Sequence, residues 1–200
     1  MSDLWDTIER GCVPDEAKGN WMELQDGSKF FPEHPHCPSM DLIAEVLSTE
    51  YRYNGHTIKG KLLSVAEHSV VMAEWFLYCF PEEPDLAHQA LLHDAPEALG
   101  MRDIPRPVKE MLGPEYKRLE AKILACVLSK FGLSTELDPR IKQADSRILR
   151  DERMQAMNPT GNRWSTDELE PLNVRFKFLK PEAAAGRFRA MHGQLLLLRK

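Results

Sequence analysis

The chain has 200 residues, of which 42% are hydrophobic and 28% charged, and its 26 Lys and Arg against 31 Asp and Glu leave a net charge of −5. This composition excludes a disordered chain, because enough apolar surface is available to be buried in a core. The acidic balance argues against a protein that coats polymeric nucleic acid, which requires a basic surplus. A small phosphorylated ligand stays compatible with it, since a few local Lys and Arg suffice.

Neither a membrane nor a secretory role is indicated. No stretch approaches the ~18 uninterrupted apolar residues of a transmembrane helix, and Met1 to Asp6 lack the basic start and apolar run of a signal peptide. The cysteines are far apart and form no C-x-x-C pair, which is typical of free thiols: Cys12, Cys37, Cys79 and Cys126. We therefore expect a cytoplasmic protein.

Apolar residues recur with helical spacing along most of the chain, and no long run alternates with period two. This pattern predicts an all-α fold with little or no sheet. The predicted helices cover about 41–50, 64–79, 85–99, 114–131, a segment from 138 onward, and 181–198.

Three of these helices carry start signals. Ser64 followed three residues later by Glu67 predicts a capping box, in which each side chain satisfies a backbone N–H. Asp138 before Pro139 predicts an N-cap with proline at the first helical position, where it is preferred. Asp85 is predicted as the N-cap of the third helix.

Four ionisable residues lie on helix stripes that should face the core: His68, His93, Asp94 and Asp145. A buried carboxylate is costly unless it is neutralised, paired or bound to a metal, and no equally clear set of buried Arg or Lys stands at matching positions. Two imidazoles and two carboxylates could converge on one divalent cation. Such a set suits Mn, Fe, Co, Ni or Zn, and Mg less well.

Each of these residues also has a simpler interpretation. His68 could be a hydrogen-bonded core histidine, and the His-Asp pair at 93–94 could be the polar edge of a helix. Asp145 could cap a helix or pair with Lys142 or Arg147. Any one of these simpler interpretations could hold for its own residue. It is less expected that polar residues on the core-facing stripes of three helices arise together by such separate causes.

The order His68, His93-Asp94 and Asp145 resembles the H…HD…D signature of HD-domain metal-dependent phosphohydrolases. Four blocks carry the resemblance: 52–57 (RYNGHT), 64–69 (SVAEHS), 91–98 (LLHDAPEA) and 103–109 (DIPRPVK). They look like the HD enzymes that dephosphorylate deoxynucleotides, including bacterial 5′-deoxynucleotidases and phage-type dATP triphosphohydrolases. The resemblance spans about 41–153.

The resemblance implies an HD-type helical bundle with a metal site in its core. The chain would form one domain over 1–200, with a core at about 41–153, an N-terminal extension over 1–40 and a C-terminal loop and helix over 158–200. It further implies a homo-oligomer in the cytoplasm, or in the host cytoplasm for a phage-encoded member.

By the same resemblance, the metal ligands would be His68, His93, Asp94 and Asp145, holding Mn, Co, Zn or a similar divalent ion, with Mg also compatible. Glu97 lies one turn after the His-Asp pair. It would be the catalytic acid/base group that positions the attacking water or protonates the leaving group.

The resemblance also assigns substrate contacts. Arg52 matches a phosphate-binding arginine, whose guanidinium can form two parallel hydrogen bonds. Lys109 and Lys142 match phosphate-holding positions, Asp103 matches the residue that accepts a hydrogen bond from the deoxyribose 3′-hydroxyl, and Tyr53 follows where an aromatic meets sugar and base.

The implied activity is dephosphorylation of deoxynucleotides, with purine deoxynucleotides and dATP as the expected substrates and deoxyadenosine as product. One alternative is a 5′-deoxynucleotidase restricted to monophosphates. Another is an HD module that binds a nucleotide without hydrolysing it, which the intact ligand set and Glu97 argue against.

Overall fold

The computed structural model describes residues 19–199. Within that range helices dominate and the sheet has only two short strands, so the predicted mostly helical fold is confirmed. Met1 to Asp6 and Cys12, on which the sequence analysis drew, lie outside the described residues. Cys37, Cys79 and Cys126 are free thiols.

The elements follow one another in this order: β1 Met22–Glu23, β2 Lys29–Phe30, α1 Met40–Thr49, a first 3-10 helix Arg52–Gly55, α2 Val65–Cys79, α3 Pro84–Leu92, a second 3-10 helix Ala95–Leu99, α4 Arg106–Met111, α5 Gly113–Lys130, α6 Pro139–Ala156 and α7 Pro181–Leu198. The strands pair antiparallel, with Met22 opposite Phe30. Asp138 caps α6 as predicted, its Oδ1 accepting the N–H of Arg140 at 2.9 Å. The short helix α4 was not predicted.

The third predicted helix is broken in two. α3 ends at Leu92, and the chain resumes as the second 3-10 helix after His93 and Asp94. Pro96 explains the break, because it has no N–H to donate to the carbonyl of Leu92 and its ring clashes there. The predicted N-cap at Asp85 is also wrong, since the N-cap is Glu83 and Asp85 lies in the first turn of α3. The break places the His-Asp pair at a bend rather than inside a helix.

The start of α2 confirms one half of the predicted capping box. Ser64 Oγ accepts the N–H of Glu67 at 3.2 Å. The Glu67 carboxylate does not reach back to Ser64, which is the other half of the prediction. It accepts the backbone N–H groups of Lys177 at 2.6 Å, Phe178 at 3.1 Å and Leu179 at 2.8 Å. These stronger charge-assisted bonds tie a distant segment to α2.

α2 is the central helix of the core. It packs against α1, α3 and α7, and every residue from Val65 to Ala73 is buried. His68 therefore lies in the interior, on the side of α2 that faces α6. No helix among the described residues combines the length and apolar content needed to cross a membrane.

Candidate metal centre

His68 presents one ring nitrogen to the interior. Its Nδ1 lies 2.6 Å from the Oε1 of Glu152, while its Nε2 is buried with no hydrogen-bond partner. Burial raises the pKa of Glu152, but the charges of Arg52 and His68 outweigh this and lower it to about 2. Glu152 is thus ionised at neutral pH and can only accept, so Nδ1 of His68 carries the hydrogen of this bond and Nε2 is the ring nitrogen that faces the cluster.

His93 presents its Nε2 in the same way. Its Nδ1 donates to the carbonyl oxygen of Ala90 at 2.8 Å, which sets the tautomer, and its Nε2 is buried and unpartnered. Burial lowers the pKa of His93, but the carboxylates of Asp94 and Asp145 outweigh it and raise the pKa to about 9. The surroundings of this nitrogen strongly favour a positive charge.

The four predicted metal ligands converge. The Nε2 of His68 lies 3.7 Å from Asp94 Oδ2 and 3.5 Å from Asp145 Oδ1, and the Nε2 of His93 lies 3.2 Å and 4.0 Å from the same two oxygens. All four atoms are buried without a hydrogen-bond partner. Ligands held at 2.0–2.2 Å from a metal lie about 3–4 Å from one another. His68, His93 and Asp145 therefore form a group that could hold a metal ion, and Asp94 lies beside it.

Arg52 corrects one premise of the sequence analysis, which found no buried basic residue to match these carboxylates. Its guanidinium is buried and lies 3.5 Å from Glu152, 3.7 Å from Asp94, 3.8 Å from Asp145 and 3.9 Å from Asp103. Although burial lowers the pKa of Arg52, these carboxylates raise it well above its ordinary value. Arg52 offsets part of the negative charge, yet its contacts with Asp94 and Asp145 are too long for hydrogen bonds.

The simpler interpretation of Asp145 does not hold. Arg147 donates to the backbone carbonyls of residues 170–171, and Lys142 is exposed. The basic side chains within 4.0 Å of the Asp145 carboxylate, among the described residues, are those of Arg52, His68 and His93. Asp145 is thus directed at the cluster.

Glu97 lies in the second 3-10 helix and is 4% exposed, and its Oε2 has no hydrogen-bond partner. Burial raises its pKa well above the ordinary value, and the neighbouring charges of Asp94 and Asp103 raise it further. Both effects favour the protonated form of this buried carboxyl. Glu97 can therefore act as a proton donor beside the cluster.

The remaining predicted contacts lie at different depths. Asp103 is half-buried near Arg52, and burial raises its pKa. Lys109, on α4, is half-buried and pairs with Glu120 of α5 at 2.7 Å. Lys142 lies on α6, one turn before Asp145, and is exposed. Of the three predicted phosphate-binding cations, only Arg52 lies inside the cluster.

Tyr53 has a contact that the sequence analysis did not anticipate. Its hydroxyl donates to the Oε2 of Glu152, and its ring lies 5.8 Å from that of Trp164. Burial and the charge of Glu152 raise the pKa of Tyr53, so the phenol stays protonated. Its predicted contact with sugar and base stays a prediction.

Glu152 is the residue that sequence reasoning missed. It lies seven residues after Asp145, which is two helical turns along the same face of α6. A glutamate at that spacing falls on the same stripe as Asp145, which is a signal that could have been found, and the structure shows it completely buried. Its partner His68 is 84 positions away in the chain, so no local pattern connects the two.

No known protein-family profile matches the chain. It is 37% identical over 160 residues to the uncharacterized protein YfdR of Escherichia coli strain K12, covering 79% of this chain and 84% of that relative. The chain belongs to the YfdR family. A second similar protein of this kind, from Rhodobacter capsulatus, is 36% identical over 132 residues, which is 64% of this chain and 66% of the relative.

Proposed function

We propose that this YfdR-family protein is an HD-type, metal-dependent phosphohydrolase that removes phosphate from deoxynucleotides, with purine deoxynucleotides such as dATP as substrates. One observation carries the proposal. Four residues of the H…HD…D pattern each have a buried ring nitrogen or carboxylate oxygen without a hydrogen-bond partner. Each histidine nitrogen lies 3.2–4.0 Å from both aspartate oxygens. A merely structural cluster would satisfy such atoms with hydrogen bonds.

A divalent ion held by His68, His93, Asp94 and Asp145 would polarise a phosphoryl oxygen and lower the pKa of a bound water. The donor set of two imidazoles and two carboxylates favours Mn, Fe, Co, Ni or Zn, and admits Mg less readily. Arg52 lies against both carboxylates, so its guanidinium stands where it can also bind phosphate oxygens.

Glu97 supplies the proton. In the proposed hydrolysis, the oxygen of water bonds to phosphorus, the bond from phosphorus to the sugar oxygen breaks, the leaving oxygen takes the proton of Glu97, and the proton released by the water restores Glu97. Burial and the charges of Asp94 and Asp103 raise the pKa of Glu97, which favours the protonated form that can supply this proton. The products are a deoxynucleoside and phosphate, or polyphosphate from a longer chain.

The test is incubation of the purified protein with a panel of deoxynucleoside mono- and triphosphates in the presence of Mn, Co or Mg. We expect metal-dependent release of deoxynucleoside, and a loss of at least about a hundredfold in His93→Ala. The matched control is His36→Ala, an exposed histidine outside the cluster, which should keep wild-type turnover. No product with any metal, or full turnover in His93→Ala, would overturn the proposal.

One observation favours the second candidate, a 5′-deoxynucleotidase restricted to monophosphates. Lys109 is already paired with Glu120, and Lys142 is exposed, which leaves Arg52 as the cation within the cluster. A single phosphate needs fewer cations than a triphosphate. Turnover of dAMP without turnover of dATP would select this candidate over the triphosphohydrolase.

A further inference from the structure

Three side chains form a connected line behind the metal-ligand position of α2. The hydroxyl of Tyr53 donates to Oε2 of Glu152, and Oε1 of Glu152 lies 2.6 Å from Nδ1 of His68. Both carboxylate oxygens are therefore engaged, and Glu152 is 0% exposed, as is His68. The elements that meet here are the first 3-10 helix, α6 and α2.

This arrangement leaves His68 little freedom. Its ring is held through Nδ1, so that Nε2 faces the cluster of Asp94 and Asp145 at 3.7 Å and 3.5 Å. A carboxylate on the far nitrogen of a histidine ligand fixes the tautomer and increases the basicity of the nitrogen that binds the metal. A rotated ring would lose the Glu152 contact and leave a buried charge without its partner.

Tyr53 lies at a bend in the backbone of the first 3-10 helix. Its backbone has a positive φ of 60° and that of Asn54 one of 49°, which a bulky side chain adopts only when its surroundings require it. This bend lets Arg52 and Tyr53, which are adjacent in the chain, approach Glu152 together: the Nε of Arg52 lies 3.5 Å from Oε1 and the phenol reaches Oε2.

We propose that Glu152 is a positioning residue that orients His68 for metal binding, and that the Tyr53 hydroxyl holds Glu152 in place. The proposal rests on the proposed function only in requiring that the site bind a divalent metal, and it is independent of the substrate. It gives Tyr53 a role through its hydroxyl, which is distinct from the predicted contact of its ring with sugar and base.

The test compares Glu152→Gln and Tyr53→Phe with Asp151→Asn. Asp151 is the adjacent buried carboxylate, but its oxygens accept the backbone N–H groups of Leu172 and Val174 at 2.7 Å and 3.2 Å. It therefore reports the cost of disturbing a buried carboxylate of α6 without touching the line to His68. Calorimetric titration with Mn²⁺ measures metal affinity, and long-range ¹H–¹⁵N spectra of the metal-free protein report the His68 tautomer.

We expect Glu152→Gln to weaken Mn²⁺ binding by about 10- to 100-fold and to reduce the preference of His68 for the Nδ1–H tautomer. Tyr53→Phe should weaken binding by a smaller factor, about 3- to 10-fold, and keep the tautomer. Asp151→Asn should bind Mn²⁺ as the wild type does, even where it unfolds at lower temperature.

The outcomes separate this inference from the proposed function. Wild-type protein that binds no Mn²⁺, Co²⁺ or Zn²⁺ would overturn the metal site itself. Wild-type binding with an unchanged affinity and tautomer in Glu152→Gln would overturn only the positioning role, as would an equal loss of affinity in Asp151→Asn. Where Glu152→Gln does not fold, Tyr53→Phe decides: weakened binding supports the proposal, and unchanged binding overturns it.

Discussion

At the scale of single residues, the site separates two kinds of buried carboxyl. Glu152 has a cationic neighbour and a hydrogen bond on each oxygen, and the pKa of this group is lowered to about 2. Glu97 has an unpartnered oxygen and acidic neighbours, so burial and repulsion raise its pKa. Their surroundings thus favour the ionised form of Glu152 and the protonated form of Glu97.

Replacing Glu97 with Gln should abolish proton transfer while leaving the metal ligands intact. We expect turnover to fall by about 10²- to 10⁴-fold, with an Mn²⁺ affinity equal to that of the wild type. Steady-state kinetics and calorimetric titration on the same preparation measure both effects. Turnover within about threefold of the wild type would show that another group moves the proton.

At the scale of elements, a segment over 172–179 without regular secondary structure is hydrogen-bonded to the side chains of Asp151 on α6 and Glu67 on α2. Asp151 of α6 accepts the N–H groups of Leu172 and Val174, and Glu67 of α2 accepts those of residues 177–179. Both carboxylates are immediate chain neighbours of site residues, Glu152 and His68. The segment therefore connects α6 and α2 through carboxylates that lie outside the cluster.

Glu67→Gln should loosen this segment. Replacing the anionic acceptor of these part-buried backbone N–H groups weakens charge-assisted bonds, which should lower the free energy of unfolding by about 1–3 kcal/mol. Hydrogen exchange at residues 177–179 should become faster, as measured by mass spectrometry together with chemical denaturation. The control is Glu74→Gln, on the same helix but exposed, where we expect a change within about 0.5 kcal/mol. Equal effects of the two variants would contradict the fastening role.

At the scale of the whole molecule, the C-terminal helix is closed onto the core by a second buried pair of histidines. The Nε2 of His88 on α3 lies 2.9 Å from the Nδ1 of His192 on α7. Arg199, directly after α7, lies 3.3 Å from His88 Nδ1 and donates to the backbone carbonyl of Phe131 at 2.7 Å. Because the arginine can only donate, His88 accepts at Nδ1 and donates at Nε2, so both rings are neutral in this arrangement.

The pair should make stability depend on pH. Burial, the repulsion that a protonated His192 would exert and the charge of Arg199 lower the pKa of His88 to about 3, and burial and Arg199 lower that of His192. Below the ordinary histidine pKa of about 6.5, His88 and His192 bind protons in the unfolded chain before they do so in the folded protein. The free energy of unfolding therefore falls as the pH drops from about 6.5 toward 3, by at most about 1.4 kcal/mol per pH unit for each histidine.

Urea unfolding with a chelator present, between about pH 5 and pH 8, tests this dependence. The slope of stability against pH should be smaller in His88→Gln than in the wild type. The exposed histidine His36 provides the control, because His36→Gln should leave the slope unchanged. Parallel slopes in the wild type and His88→Gln would show that the pair does not titrate on unfolding.

Most helices could be predicted because their signals are local. Apolar spacing and caps such as Ser64 and Asp138 act within a few residues of the helix that they start, and both caps are confirmed. The unbroken third helix was wrong because a strong apolar pattern continued across Pro96, where backbone hydrogen bonding cannot. That break falls at the His-Asp pair itself, just ahead of Glu97, and it places these side chains where an ideal helix would not.

By itself, the sequence determined the helical class and the four ionisable residues on the core-facing stripes, because both follow from the periodicity of burial along single helices. Only the tertiary structure decided what these residues meet: Arg52 among the carboxylates, and Glu152 behind His68. A pattern along the chain shows which side chains are buried. It does not show their partners, since contacts across 84 or more positions depend on how the helices pack.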